Sequence, residues 1–468
     1  MAQQAESVAI PKRLPLVVQP SNRDESTAKD AKLVNAYVEK TELTGEYHIF
    51  KRPGLAAYVT KSGNGYGTYN WLGDLYAIFG ATVYKNGVAL SGTVDTAGGV
   101  YKFSSCLGGT PKLQFGNGVA TYNYDTGSGI VAISGANFPA ATVKGIVYLD
   151  GTTYVMDSAA TIRGCDSLND PATWTDVLNT LTAQIEPDPG VALAKQLVYV
   201  IAFKGWSLEV FYDAQNATAS PLGPVQGAKI NYGCANQDSV QEMDGMLFWV
   251  ATNRGAAPQV MMLDNLKVSI VSTKAIDRLL GNDALTSVYS FTLKYEGHRF
   301  YAITLIASNI TLVYDAAEQM WEQWTDSSGN YFPVVSSTFL QGTGSLLQHA
   351  TNGKLYSVDY SNYTDDGSVI TVDIYTPNFD GGVRRRKQMN MMEFIGDQTI
   401  GSMLQVRSND NDYDAAKWST FRQVNMSHQK PVLTNCGTFM RRAYHIRHQC
   451  NTPLRLQAVE LQLDIGTL

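Results

Sequence analysis

Short runs of alternating or continuous apolar residues, broken by Gly beside a polar residue, fill most of this chain and predict antiparallel strands joined by hairpins. The turns are Asn86-Gly87, Asn117-Gly118, Asp150-Gly151, Asp244-Gly245, Glu296-Gly297 and Asn352-Gly353, with Lys204-Gly205 as a degenerate member. Asn-Gly and Asp-Gly reverse a chain because both residues tolerate positive φ, which suits the twist of a two-residue hairpin. Tyr84, Phe115, Tyr148, Met243 and Tyr295 lead into turns, and Tyr122, Tyr154, Phe248, Phe300 and Tyr356 follow them. From Gly87 to Gly353 the mean pitch is about 44 residues, close to the ~40–50 of one four-stranded propeller blade. The pattern predicts an all-β chain built on a β-propeller of six blades. A large irregular β-sandwich is the alternative that loose spacing leaves open.

The expected strands include Leu75–Phe79, Val119–Tyr124, Gly145–Leu149, Leu197–Phe203, Met246–Val250, Arg299–Ile306 and Ile310–Tyr314. One helix is expected at Lys274–Leu280, capped by Ser272 or Thr273 and ended by Gly281. Residues 1–45 carry no hairpin signature and read as an N-terminal arm, with Leu14–Val18 as an edge strand. The propeller is expected over 46–377. After Pro377 longer strands with charged outward positions, Met389–Phe394, Leu404–Arg407 and Tyr444–His448, predict an antiparallel β-sandwich over 378–468. In the final strand Leu454, Leu456 and Ala458 share one face, and Leu461, Leu463 and Ile465 are shifted by one residue. That shift predicts a bulge near Val459 and Glu460.

Composition narrows the picture. The 468 residues include 26 Tyr, 16 Phe and 41 Gly with only 17% charged residues, as expected of a hairpin-dense β protein. No apolar run approaches the ~20 residues of a membrane helix, and Met1–Lys12 lacks the features of a secretory signal. The five cysteines are far apart and form no C-x-x-C pair, so they read as reduced, buried thiols in a chain made in the cytoplasm. The net charge of −6 divides unevenly, −10 over 1–379 and +4 over 380–468.

Catalytic signatures are missing: the chain has no H-E-x-x-H, P-loop or G-x-S-x-G. Gly63-Asn64-Gly65-Tyr66-Gly67 is followed by no helix and reads as a flexible turn rather than a phosphate cradle. Asp410, Asp412 and Asp414 lack the Gly and Glu of an EF-hand and read as a solvated loop. His445 and His448 fall on opposite faces of a strand, which argues against a shared metal. The expectation is therefore no catalytic residue, no cofactor and no metal. Arg384-Arg385-Arg386-Lys387 is the strongest local charge feature and reads either as a solubilising turn or as a contact for phosphate or an acidic partner. Ser167–Trp174 approximates the Asp-box of sialidase-type propellers, a structural turn, with Asn and Pro replacing its Asp and Gly.

Ser207–Tyr212, Gly227–Cys234, Ser239-Val240 and Asp244–Trp249, taken in series, resemble the packaged-DNA stabilisation proteins, or tail accessory factors (tail nozzles), of short-tailed bacteriophages. The Ser-Leu-Asn-Asp-Pro turn at 167–174 precedes them, and Ser272–Ile276, Gly297–Tyr301 and Tyr314-Asp315 with Trp321 and Trp324 follow. Lys51–Leu55 also fits, and the resemblance covers about 50–330. It implies a structural virion protein of the tail that is not an enzyme, a hexamer added to the head-to-tail adaptor ring below the portal. A needle or plug seats beneath it, tailspikes or fibres attach around it, and double-stranded DNA passes its lumen without sequence recognition. Trp174, Trp321 and Trp324 are expected to pack between strands, and Gly227 and Gly233 to occupy turns or bulges. The residues leave two other readings open, a receptor-binding propeller adhesin and a glycan-cleaving, sialidase-like enzyme. Against the second, residues 1–379 show no evident Arg triad.

Overall fold

The computed structural model describes residues 12–21, 30–42, 44–216 and 218–465. These fall into two compact units. One comprises Ala57–Asn309 and Pro333–Val358; the other gathers the described residues up to Ala56, Ile310–Phe332 and those from Asp359 onward.

The first unit is a β-propeller. Five four-stranded antiparallel sheets follow one another over 65–89, 102–132, 147–182, 190–224 and 241–270, each a meander of strands adjacent in sequence. The hairpin Val288–Tyr295/His298–Leu305 comes next, and then the meander Val334–Leu340, Gly344–His349 and Lys354–Asp359. Six sheets of three or four strands thus correspond to the six expected blades, and the hairpin takes a further position on the ring. The first strands of the six sheets and of the hairpin all line one central cavity of about 770 Å³. The ring closes where the Gly67 N–H donates to Gln348 Oε1 (2.7 Å) and the Thr68 N–H to Ser336 Oγ (3.1 Å). Core residues lie between neighbouring blades: Ile201, Phe203 and Val210 of one sheet meet Leu247, Trp249 and Leu263 of the next. The middle strands, such as Asp74–Phe79, Thr152–Met156, Tyr199–Lys204 and Met246–Ala251, bury both faces and are nearly continuous in apolar character, whereas outer strands such as Val88–Ala89 and Lys267–Ile270 are largely exposed.

All the Gly turns read from the sequence join adjacent strands. Those at 150–151, 244–245 and 296–297 link first strand to second, those at 117–118, 204–205 and 352–353 second to third, and Asn86-Gly87 third to fourth. Asn86, Asp150, Asp244 and Glu296 have φ of 44–54° with the following Gly also positive, as a type I′ turn requires. Gly63-Asn64-Gly65-Tyr66-Gly67 is no flexible turn. Gly65 opens the inner strand Gly65–Trp71, where a Cβ would lie 2.4 Å from the His349 carbonyl oxygen, so Gly is needed for close packing at the ring closure.

The second unit has two sheets. In one, the order is Ala36–Lys40, Tyr47–Lys51, Arg455–Ile465, Lys387–Gly396 and Val432–Thr434. Within this unit the other runs Ile310–Asp315, Met320–Trp324, Lys32–Val34, Val372–Tyr375, Ala443–His448, Met403–Asn409 and Arg422–Asn425. A single hydrophobic cluster draws on both, with Val38, Ile49, Phe394, Leu456 and Leu461 from the first and Leu33, Ile374, Leu404, Val406 and Ile446 from the second. Strand pairing therefore brings together residues from the expected arm, the expected propeller stretch and the expected C-terminal domain.

Three local expectations change. Leu14–Val18 makes no strand; Leu14, Leu16 and Val18 instead bury into the cluster, and Leu14 donates its N–H to the Val459 carbonyl (2.9 Å). The helix runs Lys274–Asn282 and ends at Asp283 rather than Gly281, with Thr273 as the cap accepting from the Ile276 N–H (3.4 Å). In the last strand burial switches face between Ala458 and Val459, but the register shift against Ile395 and Gly396 leaves out Gln457, two residues before the expected bulge.

Candidate functional site

In the propeller unit the scaffold residues Trp174, Gly227 and Gly233 all lie outside the strands. Trp174 is fully buried, edge-on to Phe138 at 5.0 Å, beside Val155 and Cys165, and its indole N–H donates to the Pro171 carbonyl (2.9 Å). The acid that fixes this turn is Asp166, one residue ahead of the Asp-box-like segment. Its carboxylate accepts from the N–H groups of Thr175 (2.6 Å) and Asp176 (2.9 Å). Burial pushes its pKa up, but these bonds outweigh burial and hold it below the usual range. Asp170 instead accepts from Ala172 N–H and Lys112 Nζ. Gly227 has φ +78° in open space, whereas a Cβ on Gly233 would lie 2.4 Å from the backbone of Gly205 and Trp206. Nearby, Lys204 is fully buried between Asp188 (3.0 Å) and Glu209 (2.9 Å).

The central cavity is lined by Lys102, Lys144, Lys195 and one carboxylate, Glu242, among many hydroxyl and amide groups. Lys144 bonds both oxygens of Asp238 (2.7 and 2.8 Å), and Lys102 donates to the Val240 carbonyl (2.7 Å). Burial pushes the Lys102 pKa down to about 8. Lys102 and Lys195 come from two different sheets and Lys144 from the segment ahead of the strand Val147–Leu149, so no local motif announces them.

In the two-sheet unit Trp321 packs on Tyr314 (5.1 Å), and Trp324 packs edge-on to Phe332 (5.6 Å) while donating to Glu322 Oε1 (2.9 Å). Burial, with Asp315 nearby, raises the Glu322 pKa well above its ordinary value. Arg52 is the residue the sequence singled out least for its weight. Its guanidinium is buried against Phe332 (4.8 Å), pairs with both oxygens of Asp365 (3.0 and 2.5 Å), and donates to Asn35 Oδ1 and the Thr325 carbonyl.

Arg384, Arg385 and Arg386 are exposed on a turn of this unit, but Lys387 is not part of that surface. The sequence grouped it with the arginines as a phosphate or partner contact; the structure corrects this. Strand alternation turns it inward, where its ammonium donates to the carbonyls of Val383, Arg385 and Met440 (2.8 Å for the last two), and burial lowers its pKa. A groove of about 620 Å³ beside it is lined by Arg384, Arg386, Arg441, Asp410 and Asp412. The aspartate loop is less free than expected: Arg442 forks onto Asp410 (2.6 and 2.9 Å), Arg441 pairs with Asp412, and Asp414 caps a short helical turn. His445 bonds Asp373 (2.6 Å) and His448 bonds Ser402 (3.1 Å), with no partner in common. Among the described residues no three His, Cys, Asp or Glu gather as a metal would need, and no helix is long and apolar enough to cross a membrane.

The family described as bacteriophage P22 Gp10, β-propeller, matches residues 20–333. The chain belongs to that family. Its members are structural phage proteins, which makes this Gp10-family chain a phage tail structural protein. Among curated proteins none matches. Solved structures similar to the Gp10-family chain include a selenomethionine-substituted virginiamycin B lyase from Staphylococcus aureus, at 7% identity over 66% of this chain and 98% of that one, with a TM-score of 0.44. Another is the computationally designed Ika8 protein, at 11% identity over 66% and 99% of the two chains, with a TM-score of 0.39.

Proposed function

We propose that this protein is a tail nozzle: a hexameric ring that adds to the head-to-tail adaptor below the portal, retains packaged DNA and forms the channel for its ejection. The family match over residues 20–333 carries this reading. The architecture is consistent with mechanical work, because a propeller closes its sheets into a ring with few exposed edges. Buried ion networks at Lys204 and Arg52 resist local opening, since breaking either leaves a charge stranded without water. In the assembled virion a needle or plug seats below the ring, tailspikes or fibres attach around it, and duplex DNA passes without being read. No catalytic step or cofactor enters this role.

The test is to add purified protein to DNA-filled, tailless heads bearing portal and adaptor, follow DNA leakage and image the vertex. A six-fold collar appearing as leakage stops supports the nozzle. Continued leakage with no added density overturns it and turns attention to receptor binding or glycan cleavage.

A further inference from the structure

We propose that the turn carrying Arg384, Arg385 and Arg386 is a preorganised contact for the phosphodiester backbone of duplex DNA. The proposal deepens the DNA-retaining role and rests on it for its place in the virion.

Its basis is how the turn is built. Lys387 is stripped of water, and its ammonium donates to the carbonyls of Val383, Arg385 and Met440. Lys12 donates likewise to the Gly381 carbonyl. Alternate carbonyls of the turn are thus drawn inward onto two ammonium groups, while Arg384, Arg385 and Arg386 stay exposed. Burying a lysine is costly unless its hydrogen bonds are satisfied, and here the satisfied bonds fix the shape of the arginine turn.

The three guanidinium groups make no hydrogen bond or ion pair among the described residues, whereas the carboxylates beside them are already occupied. Arg442 neutralises Asp410 and Arg441 neutralises Asp412. Three positive charges therefore remain uncompensated. Guanidinium forks match phosphate oxygens in pairs, which an ammonium does not.

Charge density selects the partner. Arg384 and Arg386 are two residues apart, at most ~7 Å of chain. Duplex DNA presents one negative charge per ~1.7 Å of its axis, or ~4 charges over that span. A folded protein surface that packed carboxylates so densely would repel itself.

The experiment uses the full chain and a short fluorescein-labelled duplex of arbitrary sequence, titrated at several salt concentrations, with poly-glutamate as competitor. Arg384→Gln/Arg385→Gln/Arg386→Gln is compared with wild type, and unchanged thermal unfolding shows that the fold is kept. The expected result is DNA binding whose log–log salt slope falls by ~3 in the triple variant, about 0.9 per phosphate contact. Equal binding by both proteins, no binding by either at low salt, or full displacement by poly-glutamate would each overturn the proposal, the last in favour of an acidic protein partner. The leakage assay separates this from the nozzle reading. If wild type stops leakage yet binds no duplex, the turn proposal fails alone; if it binds duplex through these arginines yet leakage continues, the nozzle reading fails alone.

Discussion

The two units solve the same problem, a β-rich core with charge inside it, by opposite routes. In the propeller nearly every strand pairs with its neighbour in sequence, and the buried Lys204 finds Asp188 and Glu209 within the same short stretch. In the two-sheet unit closure is long-range: Arg52 reaches Asp365, Lys51 reaches Cys450, and Arg13 reaches Glu460. Local pairing lets a blade form before the ring is complete. Long-range pairing requires distant segments to meet first, which carries a loop-closure cost and slows folding. The two-sheet unit should therefore be the more sensitive to loss of a single buried contact.

The largest expected effect comes from Arg52→Ala. It strands the Asp365 carboxylate, which is only 15% exposed, and removes bonds to Asn35 and Thr325, so a loss of about 3–5 kcal/mol is expected. Hydrogen exchange followed peptide by peptide should show the two-sheet unit opening while the propeller stays protected. Equal loss of protection in both units would show that they do not open separately. The counterpart is Trp174→Ala, a large cavity inside one blade, with an expected cost of about 3–4 kcal/mol and lost protection centred on residues 133–183. A smaller contrast sharpens the point within the propeller. Gly233→Ala forces a Cβ onto backbone 2.4 Å away and should cost about 1–3 kcal/mol. Gly227→Ala meets open space and bears only the strain of positive φ, about 1 kcal/mol. Denaturant midpoints of the two variants would rank them, and the reverse order would mean that the Gly205–Gly233 approach relaxes easily.

The same contrast explains what could be read in advance. Propeller hairpins are local, so Asn-Gly and Asp-Gly pairs disclosed them, and the continuous apolar runs disclosed the strands. The seven turns fall one to each position on the ring, the six sheets and the hairpin, but at different places within the sheets, and other hairpins carry no such signal. Leu72 and Leu197 adopt φ of 53° and 52° at hairpin turns where Asn, Asp or Gly would be expected. Long-range features had no local signature at all: nothing near Arg52 names Asp365, and nothing near Lys32 names the parallel pairing of Val34 with Gln323. The arginine turn was visible as charge, but the inward role of Lys387 depends on the Met440 carbonyl, which only the fold supplies.

Proton linkage gives the most selective probe of the two-sheet unit. Lys51 is 2% exposed and donates to the Cys450 carbonyl (2.7 Å). Burial first, then the neighbouring Arg52 charge, lowers its pKa to about 7 from 10.5. His448 is 1% exposed, and burial, followed by Lys51, lowers its pKa from 6.5 to about 3. In both cases the unfolded chain holds the proton over a window in which the folded chain does not, so stability rises with pH there. The windows run from about 3 to 6.5 for His448 and from about 7 to 10.5 for Lys51. Urea unfolding across pH should therefore show a positive slope in the upper window that Lys51→Met removes and a positive slope in the lower window that His448→Gln reduces. Each variant should leave the other window's sign unchanged. If Lys51→Met keeps the upper slope intact, the buried ammonium is not its source, and the linkage passes to Lys102 in the propeller, whose pKa of about 8 gives the same sign over a narrower range.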